Sequence, residues 1–201
     1  MALTHAHPKI SNARDGSELW DSAKRWTSDV AVPLEQQPVE HFKRCLSKGR
    51  AHGSGRSGAI RGKYLEMAVY DFVAKVVSDN GGDVSCITVQ VDMLPGYHAE
   101  ADILVNNKLA ILVKTSFRER WKQVDRDAMI MTHHSPARKA RDFHVWSVFF
   151  AEKDTDGLEQ VQKKAIGVER CCFSDITVAS VIDTDKMKEL ETEIKWAIAN
   201  G

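Results

Sequence analysis

Two charged side chains interrupt a pair of otherwise apolar predicted strands. Residues 101–105 and 109–114 contain a single acid, Asp102, and a single base, Lys114. A charge on a buried strand costs free energy unless it is paired or serves a site. The turn residues Asn106 and Asn107 make the two segments a predicted hairpin, so antiparallel pairing is expected to bring the carboxylate and the ammonium together at one edge of the sheet.

A third charged residue is placed to join this pair. Glu66 is the polar residue within the apolar run 65–68 of a predicted helix. Two carboxylates and an ammonium supply oxygen ligands for a hard divalent cation and a positive charge for a phosphate group. A plain ion pair between Asp102 and Lys114, with Glu66 simply exposed to solvent, is the alternative that the residues leave open.

The elements that must position these residues follow from the spacing of apolar side chains. The spacing predicts helices over 34–46, from about residue 59 to a stop at 79–82, over 118–131 and over 186–199. It predicts strands over 84–92, 101–105, 109–114, 143–151 and 165–173, with 143–151 the most apolar and central. The predicted fold is therefore α/β, a mixed central β-sheet flanked by helices.

Composition limits the class of protein. The chain has 201 residues, 43% of them hydrophobic and 28% charged, with 28 basic and 28 acidic residues. These values exclude a mainly disordered chain, a collagen and a wholly basic DNA-coating protein. The four cysteines show no metal-ligand spacing, and no apolar run reaches the roughly 18 residues of a membrane span. We therefore expect reduced thiols, a cytoplasmic location and no membrane partner.

The segment 43–63 has the most unusual composition in the chain. It holds seven of the Lys and Arg residues, five of the twelve glycines and no acid. Such a segment is typical either of a solvated loop or of an element that follows the DNA backbone, where glycine permits close approach and basic side chains displace counterions. We divide the chain accordingly into a helical arm with a basic Gly-rich loop (1–58) and an α/β core (59–201).

The acid, the lysine and the order of elements together resemble the PD-(D/E)XK nuclease superfamily, and most nearly its type II restriction endonucleases. The resemblance covers about residues 60–150. In that family an acid ends one strand, and an acid-x-Lys triplet lies on the next; Asp102 matches the first acid and Lys114 matches the lysine. Glu66 stands where many members place a further acid on the preceding helix. The segment 115–123 is also similar to the stretch that follows the lysine in some restriction enzymes.

The resemblance implies a role for each matched residue. Asp102, the main-chain carbonyl of Val113 and Glu66 would bind Mg²⁺, for which Mn²⁺ substitutes. Lys114 would orient the attacking water and neutralise the phosphate oxygens. Gln123 would contact the phosphate or the water from the next helix.

One position departs from the family pattern. Leu112 stands where the acid of the triplet is expected, and strand alternation places it on the same face as Lys114. Three explanations remain open: another acid has taken over the role, the chain is an inactive relative that only binds DNA, or the change is a deliberate knock-out. The candidate replacement acids are Glu66, Glu100 and Glu119.

The predicted function is a Mg²⁺-dependent, sequence-specific endonuclease of a restriction system that hydrolyses phosphodiesters in double-stranded DNA. A palindromic target would match a homodimer. The alternatives are a catalytically impaired or inactive DNA-binding relative and an interaction protein in which the ion pair is only structural. The predicted DNA contacts are Arg50, Arg56, Arg61, Lys63, Ser116, Arg118, Arg120, His133, His134, Ser135, Arg138 and Lys139.

Overall fold

The fold is known from a computed structural model that describes residues 25–51, 58–94, 99–115, 143–150 and 177–201. Within these ranges the chain is an α/β protein with one five-stranded mixed sheet, so the coarse fold class is as predicted. The helix predicted over 118–131 and the strand predicted over 165–173 lie outside the described residues.

In the described part of the chain, three long helices pack on one face of the sheet. They are α1 (Gln37–Ala51), α2 (Gly58–Asp79) and α3 (Thr184–Ala199), with short 3₁₀ helices at Leu34–Gln36 and Val84–Cys86. The helix predicted over 34–46 begins at Gln37, after a 3₁₀ turn, and continues to Ala51. Pro38 has no N–H to donate, so it is tolerated in the first turn of α1, where that donor has no helical partner.

The end of α2 lies where the sequence places it. Gly81 has a left-handed φ of 73°, and the N–H of Gly82 donates to the carbonyl of Val77. This is the usual way in which a glycine after the last turn satisfies a helix carbonyl. A Cβ on Gly82 would lie 2.9 Å from the Val77 side chain, so the turn also requires the second glycine.

Asp83 then redirects the chain into the sheet. Its side chain accepts a hydrogen bond from the N–H of Ser85 at the start of the second 3₁₀ helix, which lowers the pKa of Asp83. The strand predicted from residue 84 therefore begins only at Ile87. Cys86 at the end of this turn is a free thiol, as is Cys45, and burial raises the pKa of the Cys86 thiol.

The sheet has its strands in sequence order. They are β1 (Ile87–Leu94), β2 (Ala99–Val105), β3 (Leu109–Lys114), β4 (His144–Phe149) and β5 (Thr177–Ser180). β1, β2 and β3 form an antiparallel meander, whereas β3, β4 and β5 are parallel. The apolar segment predicted to be central is β4, which lies between β3 and β5, and β3 is the middle strand. β5 was missed because its four residues are too few for a periodic pattern.

The two faces of the sheet bury different apolar clusters. The helices cover one face, where Phe42 of α1, Leu65 of α2 and Leu190 of α3 join Ile111 in the larger cluster. The smaller cluster on the other face consists of Ala101, Leu104, Ala110, Leu112, Val145 and Phe149. Because α1 packs against α2 in the larger cluster, residues on both sides of the predicted boundary at 58/59 contribute to one core; the division itself stays a prediction.

The β2–β3 turn yields the first testable prediction. Asn106 and Asn107 both adopt left-handed φ values, 49° and 55°, and Asn107 is exposed. We expect Asn107→Val to lower the free energy of unfolding by about 1–2 kcal/mol, because a β-branched residue resists this conformation. Asn107→Gly should be neutral or stabilising. Urea unfolding midpoints of the two variants measure the difference, and equal midpoints would contradict the assigned turn.

Candidate active site

A buried ion pair lies where β2 and β3 separate. Oδ2 of Asp102 accepts a hydrogen bond from the N–H of Val113 at 2.6 Å and lies 2.9 Å from Nζ of Lys114. The two charged side chains are only 8% and 10% exposed. The structure thus brings together the two charged residues that the hairpin pattern singled out.

The strand register explains this geometry. Pairing between β2 and β3 runs from Val105↔Leu109 to Ile103↔Ile111. Continued pairing would place Asp102 opposite Leu112, but the Asp102 side chain bonds the main chain of Val113 instead. The carboxylate thereby replaces a main-chain acceptor for a strand N–H that would otherwise need another partner. The pair is part of the backbone hydrogen bonding, and both charges are held close to the sheet.

The neighbouring strand β1 is distorted at the same level. Gln90 has a left-handed φ of 55°, and it stands opposite Asp102 because its neighbours pair as Val89↔Ile103 and Val91↔Ala101. The two flanking pairs also pack on opposite faces of the sheet. A non-glycine residue in this conformation costs about 1–3 kcal/mol, and such strain clusters at functional sites. No sequence signal marks Gln90, since left-handed φ is most common for Gly, Asn and Asp.

The ion pair lies at the carboxyl end of the parallel strands. Lys114 aligns with Phe149 of β4, and Phe149 aligns with Ser180 of β5, so the three strands end together. In open α/β sheets ligands commonly bind outside the carboxyl ends of strands. Asp102 and Lys114 therefore lie at the end of the sheet where ligands of such proteins commonly bind.

The amino-terminal half of α2 extends toward this same end. α2 is joined by residues 80–86 to β1, and Ile87 at the start of β1 pairs with Val105 beside the hairpin turn. The 22-residue helix spans about 33 Å, more than the length of β1, and packs against β3. The half-buried basic residues Arg61 and Lys63 in its first turns consequently lie toward the Lys114 end.

The other predicted site residues are placed as follows. Glu66 lies on α2 with a half-buried side chain, and its oxygen Oε2 is inside the protein. Leu112 is fully buried in the smaller apolar cluster. Glu100 is exposed in β2, and Arg50 belongs to the last turn of α1. The predicted residues outside the described ranges are Arg56, Ser116, Arg118, Glu119, Arg120, Gln123, His133, His134, Ser135, Arg138 and Lys139.

The residues at the ion pair offer only a few oxygen ligands for Mg²⁺. Among the described residues, no group of three or more His, Cys, Asp or Glu side chains is arranged to hold a metal. Mg²⁺ is nevertheless commonly held by one or two carboxylates, with water and substrate phosphates filling its other positions. Asp102 supplies one carboxylate, and the carbonyl of Val113 faces β2 as its N–H does. The donor set fits a weak Mg²⁺ site rather than a complete cage.

One further polar residue near this site was not predicted from the sequence. Ser147 of β4 aligns with Leu112 of β3 and is fully buried. The available signal was its position as the single hydroxyl within the apolar segment 143–151. Within the described residues 143–150, the apolar side chains all belong to or pack against one of the two clusters, whereas Ser147 places a hydroxyl among them.

A separate cleft of about 320 Å³ lies away from the ion pair. Its lining includes Thr27, His41, Asp71 and Lys75, and does not include Asp102 or Lys114. Asp71 and Lys75 belong to the carboxyl-terminal half of α2, which lies toward the hairpin turn. The cleft and the ion pair are therefore distinct features of the protein.

A comparison of the chain with protein-family models, with curated proteins and with solved structures finds no match. Among the described helices, none is both long enough and apolar enough to cross a membrane.

The burial of the ion pair yields a stability prediction. Lys114→Met should lower the free energy of unfolding by about 3–5 kcal/mol, because it leaves the Asp102 carboxylate buried without a counter-ion. The double variant Asp102→Asn/Lys114→Met should cost less than Lys114→Met alone, because Asn keeps an acceptor for the Val113 N–H without a charge. Urea unfolding of these two variants and of the unmodified chain measures the difference.

Lys75→Met is the matched control. Lys75 pairs with Asp79 at 2.9 Å, but these side chains are 46% and 51% exposed. An exposed i,i+4 pair contributes about 0.3–0.5 kcal/mol. If Lys114→Met costs no more than Lys75→Met, the Asp102 pair is solvated and its assigned burial is wrong.

Proposed function

We propose that the chain is a Mg²⁺-dependent endonuclease of restriction type that hydrolyses phosphodiester bonds in double-stranded DNA. The observation that carries this proposal is the buried pair of Asp102 and Lys114 at the carboxyl end of β3. A single acid and a single lysine, held 2.9 Å apart beside a main-chain carbonyl, supply a cation ligand and a phosphate-binding charge in one place.

The order of elements supports the same proposal. α2 precedes the antiparallel meander β1–β2–β3, and β4 returns parallel to β3. The resemblance to PD-(D/E)XK nucleases implies a helix, a three-strand meander, a second helix and a further strand, with the acid on the second strand and the lysine on the third. The second helix of that order would fall within 116–142, outside the described residues.

The protein side chains have separate tasks in this proposal. Asp102 binds the cation through its carboxylate, with the Val113 carbonyl as a second oxygen ligand. Lys114, anchored by Asp102, presents its ammonium to a non-bridging phosphate oxygen and to the attacking water. A bound Mg²⁺ would acidify that water and offset the charge that develops on the phosphate. Burial of the pair strengthens both electrostatic interactions relative to bulk water.

Electrostatics at the amino-terminal half of α2 also favour a polyanionic substrate. Arg61 and Lys63 lie toward the end of the sheet that carries Lys114, and the basic segment 43–63 contains no acid. Basic side chains that neutralise phosphates release counterions, and this release drives sequence-independent affinity for DNA. A chain with no net charge can bind DNA through such a local patch.

A second candidate function is DNA binding without cleavage. Leu112 is fully buried at the position of the missing acid, where it can supply no oxygen ligand. One carboxylate alone holds Mg²⁺ weakly, so cleavage by this chain would be slow. In either case we propose double-stranded DNA as the partner, bound by a homodimer if the target is palindromic.

Cleavage assays separate the two candidates. We expect Leu112→Glu to raise the rate of Mg²⁺-dependent plasmid cleavage by orders of magnitude, because a second carboxylate strengthens cation binding and water activation. Adding Asp102→Asn to that variant should abolish cleavage and leave DNA binding intact, because Asn keeps an acceptor for the Val113 N–H and removes the charge that would bind the cation. If the unmodified chain cuts as fast as the Glu form, another acid already completes the site. If neither form cuts while both bind DNA, binding alone is the function.

DNA binding itself is tested through its salt dependence. Lys63→Ala should reduce the slope of log K against log salt concentration by about 1 for duplex DNA of any sequence, because one phosphate contact is lost. Lys75→Ala is the control on the same helix, since it lies twelve residues further along, at the hairpin end, and should leave the slope unchanged. Equal slopes for both variants and the unmodified chain would place DNA elsewhere.

A further inference from the structure

A buried hydroxyl in β4 has no evident role in the chain as it stands. Ser147 is 0% exposed, and within the described part of the chain its Oγ has no hydrogen-bond partner. A buried polar group without a partner lowers the stability of a protein, and for that reason such groups are rare. The residue therefore needs an explanation other than packing, for which alanine would serve.

The register identifies what lies beside this hydroxyl. Ser147 aligns with Leu112 across the parallel β3–β4 pair. Its neighbours two residues away, Val145 and Phe149, belong with Leu112 to the smaller apolar cluster. Because side chains alternate along a strand, Ser147 faces the same side as Leu112. The nearest side chain across the strand pair is thus leucine, which can accept no hydrogen bond.

A second buried polar residue, Asp102, lies on the other side of Leu112, on β2. Continuation of the β2–β3 register places Asp102 opposite Leu112, and the Asp102 carboxylate reaches the next residue, Val113. Leu112 is consequently an apolar residue between a buried carboxylate and a buried hydroxyl. A serine hydroxyl donates one hydrogen bond. A carboxylate or amide oxygen at position 112 would be an acceptor beside Ser147.

We propose that Ser147 is a positioning residue for an acidic side chain at position 112, and that Leu112 occupies the place of the acceptor for this hydroxyl. The catalytic meaning of this inference rests on the proposed nuclease function, but the hydrogen bond is a property of the sheet alone. Side chains that hydrogen-bond a metal-binding carboxylate fix its orientation, and their loss commonly weakens metal binding about 10–100-fold.

Charge balance explains why such a donor is needed. A carboxylate at position 112 would lie beside Asp102, and two like charges destabilise each other unless donors or cations offset them. Lys114 already pairs with Asp102 at 2.9 Å. The Ser147 hydroxyl is the donor on the side away from Asp102, so it would draw the new carboxylate toward β4 and leave room for a cation between the two acids.

The test is a double-mutant cycle measured without metal or DNA. In the unmodified chain, Ser147→Ala should leave the thermal midpoint unchanged or raise it, because it removes a hydroxyl without a partner. In the Leu112→Glu chain, Ser147→Ala should lower the midpoint by about 3 °C or more, because it breaks a hydrogen bond to a charged group. Ser147→Thr, which retains the hydroxyl, should restore most of that loss.

Leu112→Gln keeps the cycle informative if the acidic variant does not fold. Its amide oxygen offers an acceptor of the same shape without a charge, so Ser147→Ala should again lower the midpoint in this background and not in the leucine background. Equal effects of Ser147→Ala in the leucine, glutamine and glutamate backgrounds would overturn the proposal, since they would show a structural role that is independent of residue 112.

Metal binding provides the second readout. Calorimetric titration with Mn²⁺ should give a Kd about tenfold or more higher for Leu112→Glu/Ser147→Ala than for Leu112→Glu. A coupled midpoint without Mn²⁺ binding would support the hydrogen bond and count against the nuclease proposal. Cleavage by Leu112→Glu that is accompanied by no coupling would support the nuclease and overturn the role of Ser147.

Discussion

The bond from Asp102 to the main chain of Val113 is the constraint on which the site depends. A carboxylate that accepts a strand N–H must lie close to the sheet. Asp102 occupies the place of a main-chain acceptor on β2, and this explains why the pairing of β2 with β3 stops at Ile103↔Ile111. The same carboxylate holds Lys114, so one acid determines both the local separation of two strands and the position of the positive charge.

The surrounding sheet and its helices stabilise the fold enough to tolerate the buried pair of Asp102 and Lys114. Three strands end together at the Lys114 level, and the helices bury the opposite face in a large apolar cluster. The burial of this cluster offsets the free-energy costs of the buried ion pair and of the left-handed Gln90, each of which is a few kcal/mol in isolation. Backbone strain and buried charge within an otherwise regular sheet are typical of functional sites.

Asp102, Leu112 and Ser147 lie side by side on β2, β3 and β4, and of the three only Leu112 does not fit the proposed chemistry. Asp102 and Ser147 are polar and buried, and Leu112 between them is apolar. A protein whose only task were structural would gain stability from alanine or valine at position 147. In the proposed nuclease site an acid at position 112 would accept a hydrogen bond from this hydroxyl, and Leu112 offers no such acceptor.

Local sequence determined the elements and the ion pair of this protein. Apolar periodicity located α2, β2 and β3, and the residues Asn106-Asn107 predicted the hairpin that brings Asp102 to Lys114, because these features depend on residues close in the chain. Only the tertiary structure decided the left-handed Gln90, the four-residue β5 and the alignment of Ser147 with Leu112. Those features depend on register between strands that are distant in sequence, and side-chain pattern alone does not specify which residues face each other across a parallel pair.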